Sequence, residues 1–423
     1  MRRISYQTRR ARSIQQNFCP IPEVDQKAFR LQVAGIQEWL AVLEVQGLGD
    51  SLRSEGERYR LNEHFLQILV SLPHPIQILL RILPTDQECA LPSLVLTHSQ
   101  EAGVLVDSNS AQQRRIETGT KSSTSHIPFI KNRISHQTLL ERHVYLVIPA
   151  LADNVQEETG TTFAHVLRSQ SQGEQSRALQ EAWYQLTIRC QDLERRLSAM
   201  SLITHRLSND QLIELAYSCL RPQEALINPL HTSWIKGVFR LVRQAIEEDC
   251  VQMLDIHTLP REVAPEWFSQ LLRIDEVMDI SLFSLPQASA PSMRHFERHT
   301  RTIQNQNYPD PERVAMQEDI EQLMECITVG HDRVLQFAVH VLIRGKGRRE
   351  MYTRSERIRT MLSHMQPGSP VASFKQEKGV RSCLRYTRRE LWTNRHPRLF
   401  GSYKASSIFP FLSQTLFEAN GTL

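Results

Sequence analysis

Much that would point directly to a function is missing from this 423-residue sequence. No apolar run approaches the ~18 residues of a membrane-crossing helix. Val144 to Leu151 is interrupted by Pro149, and Ile76 to Leu83 by Arg81. The basic start, MRRISYQTRRAR, is followed by no apolar stretch, so no secretory signal is expected. Seven cysteines (19, 89, 190, 219, 250, 326 and 383) form no C-x-x-C pair and are odd in number, which reads as reduced thiols in a cytosolic chain. What remains is ordinary globular usage, 40% apolar and 23% charged, which excludes a collagen-like, mucin-like or wholly disordered chain.

Catalytic motifs are missing too. A phosphate-cradling loop needs glycine directly before lysine and Ser/Thr after it, opening a helix behind a strand. The nearest string, Gly119-Thr120-Lys121-Ser122, lacks that glycine and follows no strand. Gly47-Leu48-Gly49 and Gly345-Lys346-Gly347 lack the third glycine of a dinucleotide fingerprint and read as turns. LLRIDE (271–276) ends like an acidic magnesium-holding strand but has no phosphate loop to serve. His295 and His299 of HFERH stand four apart, yet Glu297 is not in the slot that H-E-x-x-H chemistry requires, so they read as a solvated face. No G-x-S-x-G elbow is present and no cysteine has a nucleophile's context. Hence no catalytic, cofactor-binding or metal-ligating residue is assigned, no cofactor or small-molecule substrate is expected, and the chain alone is not expected to be an enzyme.

The patterning is informative about layout. FRLQVAG and WLAVLEV (29–45) read as two strands. Ser54 and Glu57 form a capping box, and Leu61, Phe65, Ile68, Leu69 and Leu72 follow at helical spacing. After Pro73-His74-Pro75 comes IQILLRIL (76–83), a buried strand; HVYLVI, within 139–149, is another. Between them, 92–138 is rich in Ser, Thr, Gln and basic residues and reads as a mobile insertion. Leu179, Trp183, Leu186, Cys190, Leu193, Leu197 and Met200 alternate by four and three, a heptad stripe that would serve either the chain's own core or self-association. Ser208 and Gln211 cap a further helix to Leu220.

The second half repeats the alternation. VQMLDIHTL (251–259), MDISLFSLP (278–286), VLQFAVHVLI (334–343) and VASF (371–374) read as strands. A helix is expected after Asp310-Pro311, with Val314, Ile320, Leu323, Met324 and Ile327 buried and Gly330 closing it. Another is expected from about Arg349 to Met365.

The layout is therefore α+β: two mixed lobes of alternating strands and helices with a helical arm between them. The expected divisions are a basic flexible N-terminus (1–25), a first lobe (26–150) carrying the insertion, the arm (151–222), and a second lobe (223–423) with a basic C-terminal part. From Arg344 to Arg398 fifteen Lys/Arg face four Asp/Glu, although the net charge is only +4. Such a patch could meet nucleic acid, anionic lipid or an acidic partner.

The order of segments resembles the N-terminal region of the TraC-like or VirB-type ATPases that energise conjugation and type IV secretion. The stretches that carry the likeness are VLEVQGLGDSLRSEGE, SLPHPIQILLRILP, LLERHVYLVIP, REVAPEWF with RIDEVMDISLFSLP, the helix after DPERV, VLQFAVHVLIR, FKQEKGVRSCL (374–384) and Phe409-Pro410-Phe411 with Ser413. In that family the last signature lies just before the motor domain. The resemblance implies a non-catalytic docking and assembly part of such an ATPase, ending before its nucleotide-binding domain. It further implies a cytoplasmic location, peripheral on the inner face of the cell membrane. The implied partners are inner-membrane channel subunits, other copies of the chain, and a separate motor half. The second expectation is a freestanding accessory protein that binds nucleic acid through 344–398.

Overall fold

The computed structural model describes residues 23–25, 27–33, 36–49, 54–84, 140–151, 172–220, 250–256, 267–272, 274, 276–304, 311–345, 347–365, 371–372, 399–406 and 408–413. The 92–138 insertion, the 223–249 stretch, most of the N-terminus and the 374–384 string lie outside them. In the first half run β1 (Glu23–Asp25), β2 (Ala28–Val33), β3 (Ile36–Val45), β4 (Leu48–Gly49), α1 (Glu55–Ser71), β5 (Ile76–Pro84), β6 (Leu140–Leu151), α2 (Gln172–Ala199), β7 (Thr204–Arg206) and α3 (Asn209–Leu220). In the second run β8 (Cys250–Ile256), α4 (Trp267–Leu272), β9 (Met278–Pro286), α5 (Ser289–Gln304), α6 (Pro311–Val329), β10 (Val334–Gly345), α7 (Arg348–Met365), β11 (Val371–Ala372), β12 (Leu399–Gly401), α8 (Ser402–Ser406) and β13 (Leu412–Ser413).

Local signals account for several boundaries. At α1 the Glu57 amide donates to Ser54 Oγ at 3.3 Å and the Ser54 amide donates to Glu57 Oε2 at 3.0 Å, so two orphan donors are satisfied together. At α3 the Ser208 amide donates to Gln211 Oε1 at 2.9 Å, the same device. Gly330, with φ +84°, ends α6: its amide donates to Ile327 O and the His331 amide donates to Cys326 O at 2.9 Å. Gly345 permits a close approach, since a Cβ there would come within 2.7 Å of Met351 N in the first turn of α7.

The fold is α+β, and a single sheet runs through both halves in the order β1-β2-β3-β6-β5-β9-β10-β8-β11, with β7 on β3 and β12 on β10. Every pairing in this sheet is antiparallel. Consequently β3 and β5, joined through α1, run parallel with β6 inserted between them, and β8 and β9, joined through α4, run parallel with β10 between them. Each half is thus a split β-α-β unit, and the repeated alternation in the sequence is a repeated topology. The units meet edge to edge through β5 and β9, from Ile76↔Ser284 to Ile82↔Met278.

Alternation along the strands gives each face its character. Trp39, Ala41, Ile78, Leu80, Ile280, Leu282, Val341 and Ile343 point to one face and are buried with apolar residues of α1, α2, α4 and α7. The helical stretch between the halves lies on the sheet: α2 packs on β3 and β6, while α3 covers the other face through Leu212, Leu215 and Cys219. The heptad stripe is used by the chain's own core, since Leu186, Cys190, Leu193 and Leu197 are all buried there. Trp183 is half-buried and meets Trp39 edge-on at 5.7 Å, while the side chain of Leu179 is outside the described residues. Pro149 is tolerated in β6 because it lies past Val147, the last β6 residue that β5 pairs.

One expectation fails. In α6, Ile320, Leu323, Met324 and Ile327 are only half-buried and Val314 is 38% exposed. Its main packing partner among the described elements is α5, with Leu323 reaching Gly401 of β12, so among the described residues its stripe is only partly covered.

Candidate functional site: the junction between the two repeats

On the α3 side the central strands are polar. Gln77 and Arg81 of β5, Asp279 and Ser281 of β9, and His340 and Arg344 of β10 are all buried. A charge in a buried strand needs a partner, because desolvation costs several kcal/mol per ion. Here Arg81 Nε donates to Asp279 Oδ1 at 3.0 Å and Arg344 Nη2 donates to Asp279 Oδ2 at 3.0 Å, so one carboxylate bridges two guanidiniums. Further bonds reach α3: Arg81 Nη2 donates to Ser218 O at 2.8 Å, Arg81 Nη1 to Ser218 Oγ, and Arg344 Nη2 also to Cys219 O, while Arg344 Nε finds no partner among the described residues. The Ser218 and Cys219 carbonyls belong to the last turn of α3, where cations also complement the helix dipole. The cluster therefore binds β5 of one repeat, β9 and β10 of the other, and α3 into one unit.

Electrostatics fix its protonation. Burial would raise Asp279, but Arg81 and Arg344 outweigh it and hold the carboxyl below the usual carboxylate range. Burial would lower Arg81, but Asp279 reverses that and raises it. Burial pushes the Cys219 thiol up to about 11, with Arg81 pulling the other way. An ionised carboxylate bound on each oxygen by an arginine and 2% exposed has no proton to give and does not face solvent. This arrangement fastens the strands to one another and to α3.

Two further arginines cross the junction in reciprocal fashion. Arg142, at the start of β6 in the first repeat, donates to Leu272 O at the C-terminus of α4 in the second. Arg333, immediately before β10 in the second, donates to Leu72 O at 2.8 Å and Val70 O at 3.4 Å at the C-terminus of α1 in the first. The antiparallel β5–β9 pairing explains this: the end of α1 lies near the start of β5, which faces the end of β9 and hence the start of β10.

The third fastening comes from the C-terminal part of the chain. Phe409 and Phe411 each meet Phe65 of α1 edge-on at 5.7 Å and each other at 5.4 Å. β13 pairs in parallel with β4, Leu412 opposite Leu48. Upstream, the Ser402 amide donates to Asp332 Oδ1 at 2.6 Å, beside Arg333. Gly401 is required there, since a Cβ would come within 2.5 Å of Asp332 Oδ2.

The weighed motifs fall elsewhere. His295 is exposed on α5, and the side chain of His299 is outside the described residues, as is all of 119–122. Among the described residues no group of three or more His, Cys, Asp or Glu could hold a metal ion. Gly47 stands just before the short β4 and Gly49 is its second residue, so the string expected as a turn is in part a strand paired with β13. Glu276 of LLRIDE is buried and held by Arg354 at 3.3 Å and by Arg357 of α7. In the basic stretch from 344 onward, Arg344, Arg354, Arg357 and Arg359 are engaged in ion pairs within the fold, and 373–398 lie outside the described residues.

Sequence patterning missed the junction, although a signal existed. Arg81, Asp279 and Arg344 each sit in or at the end of an otherwise apolar run, IQILLRIL, MDISLFSLP and VLQFAVHVLIR, and opposite charges in buried strands imply a shared partner. No protein-family model matches the chain, and no curated protein matches it. No helix among the described residues is long and apolar enough to cross a membrane.

Proposed function

We propose that the chain is a non-catalytic docking and assembly module: the N-terminal part of a conjugative-transfer or type IV secretion ATPase of the TraC-like or VirB-type kind. It works at the cytoplasmic face of the inner membrane, against channel subunits, other copies of itself and a motor half. The observation that supports this most is the position of Phe409-Pro410-Phe411. The segment that precedes the motor in the family is here buried against Phe65 of α1, with all three residues inaccessible. Any domain attached after it is thereby coupled mechanically to the first repeat, which suits a module that positions a motor. The fixed charges at the junction suit the same role, since they rigidify the sheet and offer no reactive group.

Cross-linking of the chain in its native cells, followed by mass spectrometry, tests this. Cross-links to inner-membrane channel subunits are expected. Cross-links confined to nucleic acid would favour the accessory-protein reading, and stoichiometric ATP binding by the purified chain would contradict a non-catalytic module.

A further inference from the structure

The helical hairpin α5–α6 joins β9 to β10, the place where the first repeat joins β5 to β6. On α5, Ser292 and Phe296 are buried. Arg294, Arg298 and Arg301 are exposed, and at helical period they fall on the opposite side, roughly 180–240° around from Ser292. On α6 the half-buried side is formed by Gln317, Ile320, Met324 and Ile327. Glu318, Glu321 and Glu325 form a separate exposed line, with Val314 (38% exposed) and Val329 (62% exposed) near its two ends. Among the described residues none of these six charges makes an ion pair; Glu321 only accepts from Gln317 Nε2 at 2.7 Å.

The two lines match in spacing as well as sign. Arg294, Arg298 and Arg301 are separated by four and three residues read forwards, and Glu325, Glu321 and Glu318 by four and three read backwards. Each line spans about 10 Å at 1.5 Å per residue. We propose that a second copy of this chain docks here, its α6 antiparallel to this α5, so that Arg294 faces Glu325, Arg298 faces Glu321 and Arg301 faces Glu318 across the contact. This names a surface for the self-assembly part of the reading above and rests on that part. The contact joins two different patches, so it closes as a two-fold pair if both form at once and otherwise propagates to a ring or an open filament. Exposed pairs are individually weak and screened by salt, so the association belongs to low ionic strength and fades as the Debye length shrinks from ~10 Å at 0.1 M to ~3 Å at 1 M.

The test is the mass of the full chain in solution, by sedimentation velocity, at low and high sodium chloride. It compares the native chain, Arg298→Glu, Glu321→Arg, and the two reversals combined, with circular dichroism to verify folding. The native chain is expected to rise above its 48.9 kDa monomer with concentration at low salt and to return to it at high salt. Each single reversal places like charges together and should weaken association by about tenfold or more, while the combined reversal restores it to within about threefold. If the native chain associates and the single reversals match it, this surface is wrong and self-assembly stands. A native chain that is monomeric under all conditions overturns both. Failure of the combined reversal to restore association overturns the antiparallel pairing, as does salt-sensitive oligonucleotide binding that Arg298→Glu abolishes while the mass is unchanged.

Discussion

Replacing Asp279 with leucine should be among the most damaging single changes in the chain. The side chains of Arg81, Asp279 and Arg344 are 1%, 2% and 7% exposed, so removing the carboxylate leaves two guanidiniums without a counter-ion and out of reach of water. Breaking a buried ion pair in this way costs about 3–5 kcal/mol. Converting the whole cluster (Arg81→Met, Asp279→Leu, Arg344→Met) removes the stranded charges. It leaves orphaned only the α3 carbonyls of Ser218 and Cys219, at about 1–3 kcal/mol each, offset by as much as about 1–4 kcal/mol gained when an apolar core replaces buried ions. The triple variant should therefore be more stable than Asp279→Leu alone. Urea denaturation followed by circular dichroism measures both. The pH dependence has a fixed sign: the carboxyl is held below its ordinary value, so its contribution is complete above about pH 4 and is lost as the pH falls through the lower folded value. The gap between native and Asp279→Leu should be flat at neutral pH and narrow only in acid. A single variant within about 1 kcal/mol of native, or a triple variant worse than the single, would refute the junction as described.

Three other outcomes follow from the same contacts. Phe411→Ala, which removes a fully buried ring from Phe65 and Phe409, should cost about 3–5 kcal/mol in denaturant midpoint analysis and add a cut within 399–413 in limited proteolysis that the native chain does not show. His74 is buried and its pKa is lowered by that burial to about 4, so it stays neutral in the fold while the unfolded chain protonates near 6.5. Stability from this site is therefore complete above pH 6.5 and falls by about 3 kcal/mol as the pH drops towards 4; His74→Gln should flatten that slope in a stability–pH series. Leu193→Glu buries a carboxylate in the core and should unfold the chain, whereas Ile188→Glu, at a 42% exposed position on the outer side of α2, should leave the melting curve unchanged.

Elements were legible where local physics decides them. The boxes at Ser54/Glu57 and Ser208/Gln211, the helical spacing from Leu61 to Leu72, and the branched runs of β5, β6, β9 and β10 all announce themselves, because caps and periodicity act over a few residues. The fate of the α2 stripe could not be read, since a four-three repeat serves a sheet face as well as a partner helix; Leu186 and Leu193 turn out to face β3 and β6. The order β3-β6-β5-β9-β10-β8 was hidden because strand neighbours are chosen by the whole core and not by the run itself. Arg142 and Arg333 were invisible for a related reason: each caps a helix belonging to the other repeat, at a separation of 130 residues or more. The aromatic contacts of Phe409 and Phe411 have the same character, a short string whose partner, Phe65, lies at the other end of the chain.

The most direct test of the proposed role is to read the coding DNA that follows the Leu423 codon in its native source. The expected result is a strand followed by a G-x-x-x-x-G-K-[ST] loop opening a helix, in one frame or another, which would supply the motor half that this module positions. If no frame encodes such a loop, the chain is not the front part of a motor, and the docking role proposed here is contradicted.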